Sequence, residues 1–314
     1  MHRVAITGSE GLIGRHLRTA LAEHSIEVVR IDQALPANTA GCVDLSGSGA
    51  TAALHKLFEN CDGVVHLGAV SRVVWGEHDP VRCWRTNVEG TSAVLRASAM
   101  CATRPWVLFA SSREVYGNAD RLPVIEDAPR QPLNVYARSK VAAEDLVLAA
   151  RMELRTSVVR LSSVYGDVLD HADRVVPAFA RAAAESGMLR VEGATHLLDL
   201  TYAPNVADGV IRLMQLLDGG DSKLPPVHLV SGVGTTLTAL AQLACAVGNS
   251  TARLIDAPPR DYDVSHFVGD PSLARRLLGW EATTPLSDGM RRLVQEYAAL
   301  GAARPSSAPE RGRP

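Results

Sequence analysis

The chain has 314 residues, 46% of them hydrophobic, enough to bury one large core or a large and a small lobe that share it. Its 32 Lys+Arg against 34 Asp+Glu leave a formal net charge of −2, without a basic stripe or acidic block in the body, which argues against nucleic acid or a membrane surface as main partner. Five widely spaced cysteines (Cys42, Cys61, Cys83, Cys101, Cys245) read as reduced thiols rather than a disulfide framework, and none of the ten histidines pairs at H-E-x-x-H spacing, so no metal site is expected.

After Met1-His2-Arg3 the chain enters an apolar run, Val4–Thr7, with the near-continuous character of a strand covered on both faces. There is no signal-peptide pattern there, and no apolar run approaches the roughly 20 residues of a membrane span, so a cytoplasmic protein is expected. A glycine-rich turn leads to a helix at 12–23, and a second strand at 26–31 ends at Asp32. Further strands are expected at 41–44, 64–67, 106–110, 157–161 and 198–202, with long helices at 81–101 and 135–151. This alternation predicts an α/β fold, a doubly wound parallel sheet with crossover helices. After Gly166 the pattern shifts to short segments, prolines and helices near 175–185, 236–246, 273–278 and 289–300. From Gly301 the Pro/Ser/Arg-rich tail is expected to be disordered.

Thr7-Gly8-Ser9-Glu10-Gly11-Leu12-Ile13-Gly14 lies between the first strand and its helix. Glycines there permit a tight turn, close approach of backbone to a pyrophosphate, and close helix–strand packing, with the helix N-terminus facing the phosphate charge. Such a triplet alone is weak, but Asp32 follows Gly8 by 24 positions, where a carboxylate accepts the adenosine-ribose hydroxyls. That carboxylate repels a 2′-phosphate, and Gln33-Ala34-Leu35 offers no arginine to hold one, so NAD is favoured over NADP. Residues 1–165 then read as a Rossmann-type NAD-binding domain, with later strands and a helix near 198–217 returning to it, and 166–300 as mainly a substrate-binding lobe.

Tyr136 and Lys140 are four apart at the start of a helix and share a face. An ammonium beside a phenol is expected to lower its pKa from about 10 towards neutrality, so that the tyrosine can take a proton from a sugar hydroxyl while hydride leaves. Y-x-x-x-K is common on helix surfaces; its weight here comes from Ser111-Ser112-Arg113-Glu114-Val115-Tyr116-Gly117 after the strand at 106–110.

Together with Asp44-Leu45, His66-Leu67-Gly68-Ala69, Asp79-Pro80, Thr86 to Thr91 and Arg160 to Gly166, these motifs resemble the extended short-chain dehydrogenases/reductases of the NAD-dependent epimerase/dehydratase family, over nearly all of residues 3–300. The resemblance implies that Gly8, Gly11 and the Glu10, Leu12 and Ile13 backbone hold the pyrophosphate, Asp32 and Gln33 the adenosine ribose, and Asp44 and Leu45 the adenine. It implies that Leu67, Gly68 and Ala69 pass beneath the cofactor, with Asn87 near it, and that Lys140 bridges the nicotinamide ribose and Tyr136. Ser112 is expected on the reacting sugar oxygen, and Ser163 where an Asn or Thr usually meets substrate. Arg260 and Asp263 match an R-x-x-D whose arginine binds the nucleotide diphosphate, and the Arg174–Val175 backbone is expected to line the nucleotide site. A homodimer through the helices at 81–101 and 135–151 is also implied.

The chain departs from the family pattern in two places. Leu198 stands where a second phosphate-binding arginine is common, which leaves Arg260 alone or with Arg174 or His196; and the loop Ser71 to His78 carries Trp75 beside the expected site. For the reaction, Arg113-Glu114 replaces the Asp-Glu pair of sugar-nucleotide dehydratases, so dehydration is disfavoured, while Glu114 also matches a glutamate of nucleotide-glucuronate decarboxylases. Arg113 itself is expected to be a solvated strand-end charge. Pro259 to Asp263 looks more like epimerases, which makes a nucleotide-sugar 4-epimerase on a UDP-hexose or UDP-hexuronate the leading reading. Decarboxylation assisted by Glu114, or ketosugar reduction, is the alternative; a non-catalytic NAD sensor is remote because the Tyr136/Lys140 pair is intact.

Overall fold

The first apolar run forms β1 (Arg3–Thr7), buried from Val4 onwards, and the glycine turn delivers the chain into α1 (Leu12–Glu23). β2 (Glu27–Ile31) pairs with one edge of β1; after α2 (Ala50–Phe58), β3 (Gly63–His66) pairs with the other. Next come α3 (Val73–His78), α4 (Pro80–Trp84), a π-helical turn at Arg85–Glu89, α5 (Gly90–Met100), β4 (Trp106–Ser112), α6 (Val135–Ala149) and β5 (Thr156–Leu161). The remaining elements are β6 (Ser163–Tyr165), α7 (Val175–Glu185), β7 (Met188–Glu192), β8 (Leu197–Tyr202), α8 (Ala203–Asp218), β9 (Val227–Leu229), β10 (Gly234–Thr236), α9 (Leu237–Gly248), β11 (Arg253–Ala257), α10 (Ser272–Leu278) and α11 (Leu286–Ala302). This computed structural model describes residues 1–302.

The main sheet runs β2-β1-β3-β4-β5-β9 with every neighbouring pair parallel, the doubly wound arrangement expected. One face is covered by α1 and α8, whose Leu17, Leu21, Val206, Val210 and Leu213 pack on Val4, Ile6 and Leu108. The other is covered by α2, α5 and α6, with Leu54, Phe58, Val94 and Val147 on Ala5, Val64, Val107 and Val158. Side chains as deeply buried as Leu17 and Leu54 each contribute about 1.5–3 kcal/mol, so a charge in either stripe would detach its helix. A separate core joins α7, α9 and α11 to β7 and β8 through Phe179, Leu189, Leu200, Leu240 and Leu293.

The fold differs from the sequence expectation in five places. The loop expected at Ser71 to His78 winds into the short helix α3 from Val73 on. Residues 41–44 form no strand; Val43 and Leu45 are buried side chains of an irregular segment, which imitates a strand's alternation. The helix expected at 81–101 is broken into α4, the π turn and α5, with Pro80 starting α4 and the Asp79 carboxylate capping it at the Arg82 N–H (2.9 Å). The strand at Leu197–Tyr202 joins a small sheet, β10-β8-β6, and β9 takes the edge of the main one. The cause lies in Asp199, fully buried in β8, whose carboxylate accepts from Ser231 N and Oγ (2.9 and 2.8 Å) and Gly232 N (2.9 Å) and so ties β8 to the segment before β10. Finally, Gly301 and Ala302 complete α11, and the rest of the expected tail lies outside the described residues.

Candidate active site

The sheet order reverses at β1, between β2 and β3, where a crevice opens beyond the strand C-termini. Gly8 leaves β1 with φ +73°, and a Cβ built on it would lie 2.7 Å from the Gly68 nitrogen beyond β3. A Cβ at Gly14 would lie 2.3 Å from the Gly8 carbonyl oxygen, so only glycine lets α1 start this close to the turn. Gly11 is the N-cap of α1 and offers no side-chain acceptor, which leaves the first-turn N–H groups and the positive helix end to an anion. Asp32 accepts from the Glu10 N–H at 3.0 Å and the Ala34 N–H at 2.9 Å, which holds its carboxylate beside the turn. Arg30 is committed to Glu10 (2.9 Å), as is Arg18 (2.6 Å); despite burial, these guanidiniums and the Ser9 hydroxyl hold the Glu10 carboxyl below its ordinary range. The cradle fits a dinucleotide: no Cβ where a pyrophosphate must approach, donors aimed at it, and a carboxylate for a ribose diol.

From this turn a cleft of about 500 Å³ runs past the ends of β3, β4 and β5. Of the residues singled out in the sequence, Gly8, Gly11, Leu12, Ile13, Leu67 and Ala69 line it, with Ser112, Glu114, Tyr136, Lys140 and Ser163, and with Arg174, Val175, Arg260 and Asp263. Glu10, Asp32, Gln33, Asp44, Leu45, Gly68 and Asn87 stand outside that lining. Gln33 and Asp44 are exposed, and Asp44 is turned onto Ser46 N and Oγ (2.9 and 2.7 Å). Asn87, buried in the π turn, is a clamp: it accepts from Val70 N (2.8 Å) and donates to Val70 O (3.1 Å) and Ser139 Oγ (2.9 Å).

Tyr136 and Lys140 are both buried on the first turns of α6, which Asn134 caps by accepting from the Ala137 N–H at 2.8 Å. The Lys140 ammonium donates to the Ala110 carbonyl at 2.8 Å and lies 4.7 Å from the Phe109 ring centre and 5.9 Å from that of Tyr136. Burial depresses it to about 8. The phenol, expected to shift down, shifts up instead: burial penalises the phenolate by more than the Ser112 hydroxyl beside it recovers, and the lysine is turned onto Ala110. His66 beneath is bridged between Thr7 (2.7 Å) and Thr91 (3.0 Å), and burial, with Lys140 nearby, holds it neutral down to about 3.

Arg113 is not the solvated charge expected. β4 ends in a short 3₁₀ turn capped by Ser112, which accepts from the Glu114 N–H at 3.2 Å, and this folds Arg113 back so that its side chain is only 12% exposed. Its Nη2 pairs with Glu114 Oε1 at 2.9 Å, over the Phe267 ring, while Glu114 Oε2 accepts from Asn134 at 3.1 Å. Elsewhere on the cleft Arg260 is held by Asp263 (2.9 Å), Arg190 by Glu192 (3.0 Å) and Arg174, more loosely, by Asp170 (3.4 Å); His196 and the buried Leu198 complete that wall.

The Ser71 to His78 segment packs on the start of α6. The Glu77 carboxylate accepts from the Val135 N–H at 2.8 Å, and a Cβ at Gly76 would lie 3.2 Å from the Tyr136 nitrogen. Trp75 does not line the cleft; it meets His171 edge-on at 4.6 Å beneath the Arg72 guanidinium, which pairs with Asp173. Sequence reasoning missed Asn134, Glu77, Asp170, His171 and Asp173. Asn134 was legible as an N-cap residue type before a helical pattern, and Asp170 has its partner Arg174 four residues on; the others meet their partners only through the fold.

This is the architecture of a dinucleotide-dependent enzyme, with a tyrosine, a lysine and a serine gathered in its cleft. Residues 4–225 match the NAD dependent epimerase/dehydratase family, and the chain belongs to that family, with NAD as its cofactor. It is 26% identical over 314 residues to a UDP-glucuronic acid decarboxylase 3 of Arabidopsis thaliana (94% of this chain, 89% of the relative) and 25% identical over 318 residues to a UDP-glucose 4-epimerase of Lacticaseibacillus casei (93% and 94%). Its fold matches, with a TM-score of 0.87 and 24% identity, a UDP-glucose-4-epimerase from Stenotrophomonas maltophila with bound NAD and formylated UDP-arabinopyranose, covering 97% of this chain and all of that one.

Proposed function

We propose that the protein is an NAD-dependent nucleotide-sugar 4-epimerase that works through a 4-keto sugar, on a UDP-hexose or UDP-hexuronate. The carrying observation is that Ser112, Tyr136 and Lys140 share one cleft with the glycine turn, while both oxygens of Glu114 are engaged by Arg113 and Asn134. Bound in the cradle, NAD supplies the acceptor for hydride from C4 and the donor that returns it. Tyr136 takes the proton of the 4-hydroxyl and later gives it back, Ser112 holds that oxygen, and the Lys140 charge favours the phenolate once it turns from Ala110. Arg260, released from Asp263, and Arg174 are the cations for the diphosphate in place of an arginine at Leu198. Residues 1–165 with α8 and β9 carry the cofactor, and 166–300 mainly the substrate.

The reaction is tested by incubating the NAD-loaded protein with a nucleotide-sugar panel, read by mass spectrometry and sugar NMR. A new stereoisomer of unchanged mass is expected. Loss of carbon dioxide would make it a decarboxylase, as one of its relatives is named, and loss of water a dehydratase.

A homodimer through α4, α5 and α6 is supported by Val81 and Trp84, which stand 63% and 44% exposed on α4 beside α6. Sedimentation at micromolar concentration tests it, and a monomer would refute it. No helix among the described residues is long and apolar enough to cross a membrane, and all five cysteines are free, which supports a cytoplasmic location.

A further inference from the structure

We propose that Arg113 is the specificity residue of the cleft, a guanidinium that recognises a carboxylate on the hexose, so that the substrate is a nucleotide-linked hexuronic acid; this rests on the 4-epimerase reading. Arg113 follows Ser112 directly at the end of β4, and both line the cleft. Its side chain is mostly buried, with Nη2 on Glu114 and the plane over Phe267, yet Nη1 is shut off from water and has no acceptor among the described residues. A guanidinium taken out of water is costly unless its N–H groups find oxygens, and native proteins rarely leave such a donor over. Glu114 meets the guanidinium through Nη2 alone, its other oxygen being turned towards Asn134, and Nη1 is left over.

The missing acceptor therefore comes from the ligand, met by a turn about the terminal torsions of a long side chain. With Ser112 on the C4 oxygen, Arg113 in the same cleft lining has a side chain long enough to reach a substituent on a neighbouring ring carbon. A C6 carboxylate on C5 is the one that can match a guanidinium in charge and planar geometry, and a hydroxymethyl group offers a weaker neutral acceptor. Of the other guanidiniums on the cleft, Arg72 is paired with Asp173, and Arg174, held only loosely by Asp170, is the one assigned above to the diphosphate. The pairing also bears on the outcome. Loss of carbon dioxide from a 4-keto uronate needs the C5–C6 bonding pair to flow towards the ketone oxygen, and a cation held on the carboxylate stabilises the starting state of that step more than its transition state. Arg113 thus favours retention of the carboxylate.

The test takes the full chain saturated with NAD, with UDP-glucuronate and UDP-glucose as paired probes and Arg113→Gln beside Arg113→Lys. Wild type is expected to prefer UDP-glucuronate in kcat/KM by at least about 30-fold, Arg113→Gln to bring the ratio to within about threefold, mainly through KM, and Arg113→Lys to restore part of it. A wild type without preference, or a ratio that Arg113→Gln leaves unchanged, overturns the assignment. Arg113→Lys, which keeps a charge on Glu114, decides the matter if Arg113→Gln does not fold: an undiminished ratio in it overturns the assignment. Calorimetric binding of the same two probes separates the two readings. A UDP-glucuronate preference that vanishes in the variant, without turnover, keeps Arg113 and sinks the epimerase; turnover without preference does the reverse; binding of neither sinks both.

Discussion

Gly8, Gly11 and Gly14 shape one end of the cleft, the proposed cofactor side, with bare backbone, whereas the proposed substrate side carries Arg113, Arg174 and Arg260, each held by a carboxylate of its own. The first arrangement is rigid and tolerates no substituent: a Cβ at Gly8 or Gly14 would collide with main chain. The second is a set of ion pairs that a ligand can exchange, since the Asp170 and Asp263 carboxylates can be replaced by phosphate or carboxylate oxygens. On the proposed function, cofactor affinity is built into the fold, and substrate choice into side chains that can change one at a time.

The sharpest test falls where the two sides meet. Tyr136→Phe is expected to cut turnover by about 10³-fold while NAD binding, measured by titration, is kept; near-normal turnover would sink the mechanism. To break the cofactor side, Gly8→Ala forces a side chain into a left-handed backbone against Gly68, and NAD affinity should fall by at least about tenfold. A variant that binds NAD normally would show that the turn can yield. On the substrate side, Arg260→Met should raise KM for the nucleotide sugar by about tenfold with kcat little changed, and an equal fall in kcat would instead place Arg260 in the chemical step.

The smallest effect concerns His66, beneath the junction. The unfolded chain takes a proton on this ring at about 6.5, and the folded chain refuses it until about 3. Protons are therefore bound in excess by the unfolded state between those values, and stability falls with falling pH. Wild type should lose about 2 °C of Tm per pH unit below 6.5 relative to His66→Gln. Parallel melting profiles would refute a ring held neutral.

The same contrast explains what the sequence revealed. The glycine turn, Asp32 and the Tyr136/Lys140 pair are legible because each requirement is met within a few residues or by one strand ending beside another. Arg113 was misread as solvated because its burial is decided by Phe267, over 150 positions away. The partnerships of Arg72 with Asp173 and Glu77 with Val135 leave no mark in the spacing of either segment. At 41–44, Val43 and Leu45 have a strand's alternation without a neighbouring strand to pair with. And β8 reads as one more parallel strand until Asp199 is seen binding the loop that draws it into the small sheet.

The contact of Glu77 with the first N–H of α6, and of Gly76 with the Tyr136 backbone, makes the segment around Trp75 a foundation for that helix. Anyone transplanting that segment from a relative would also shift the seat of the Tyr136 phenol. α3 and the start of α6 are best regarded as one exchangeable cassette, to be inherited, or engineered, together.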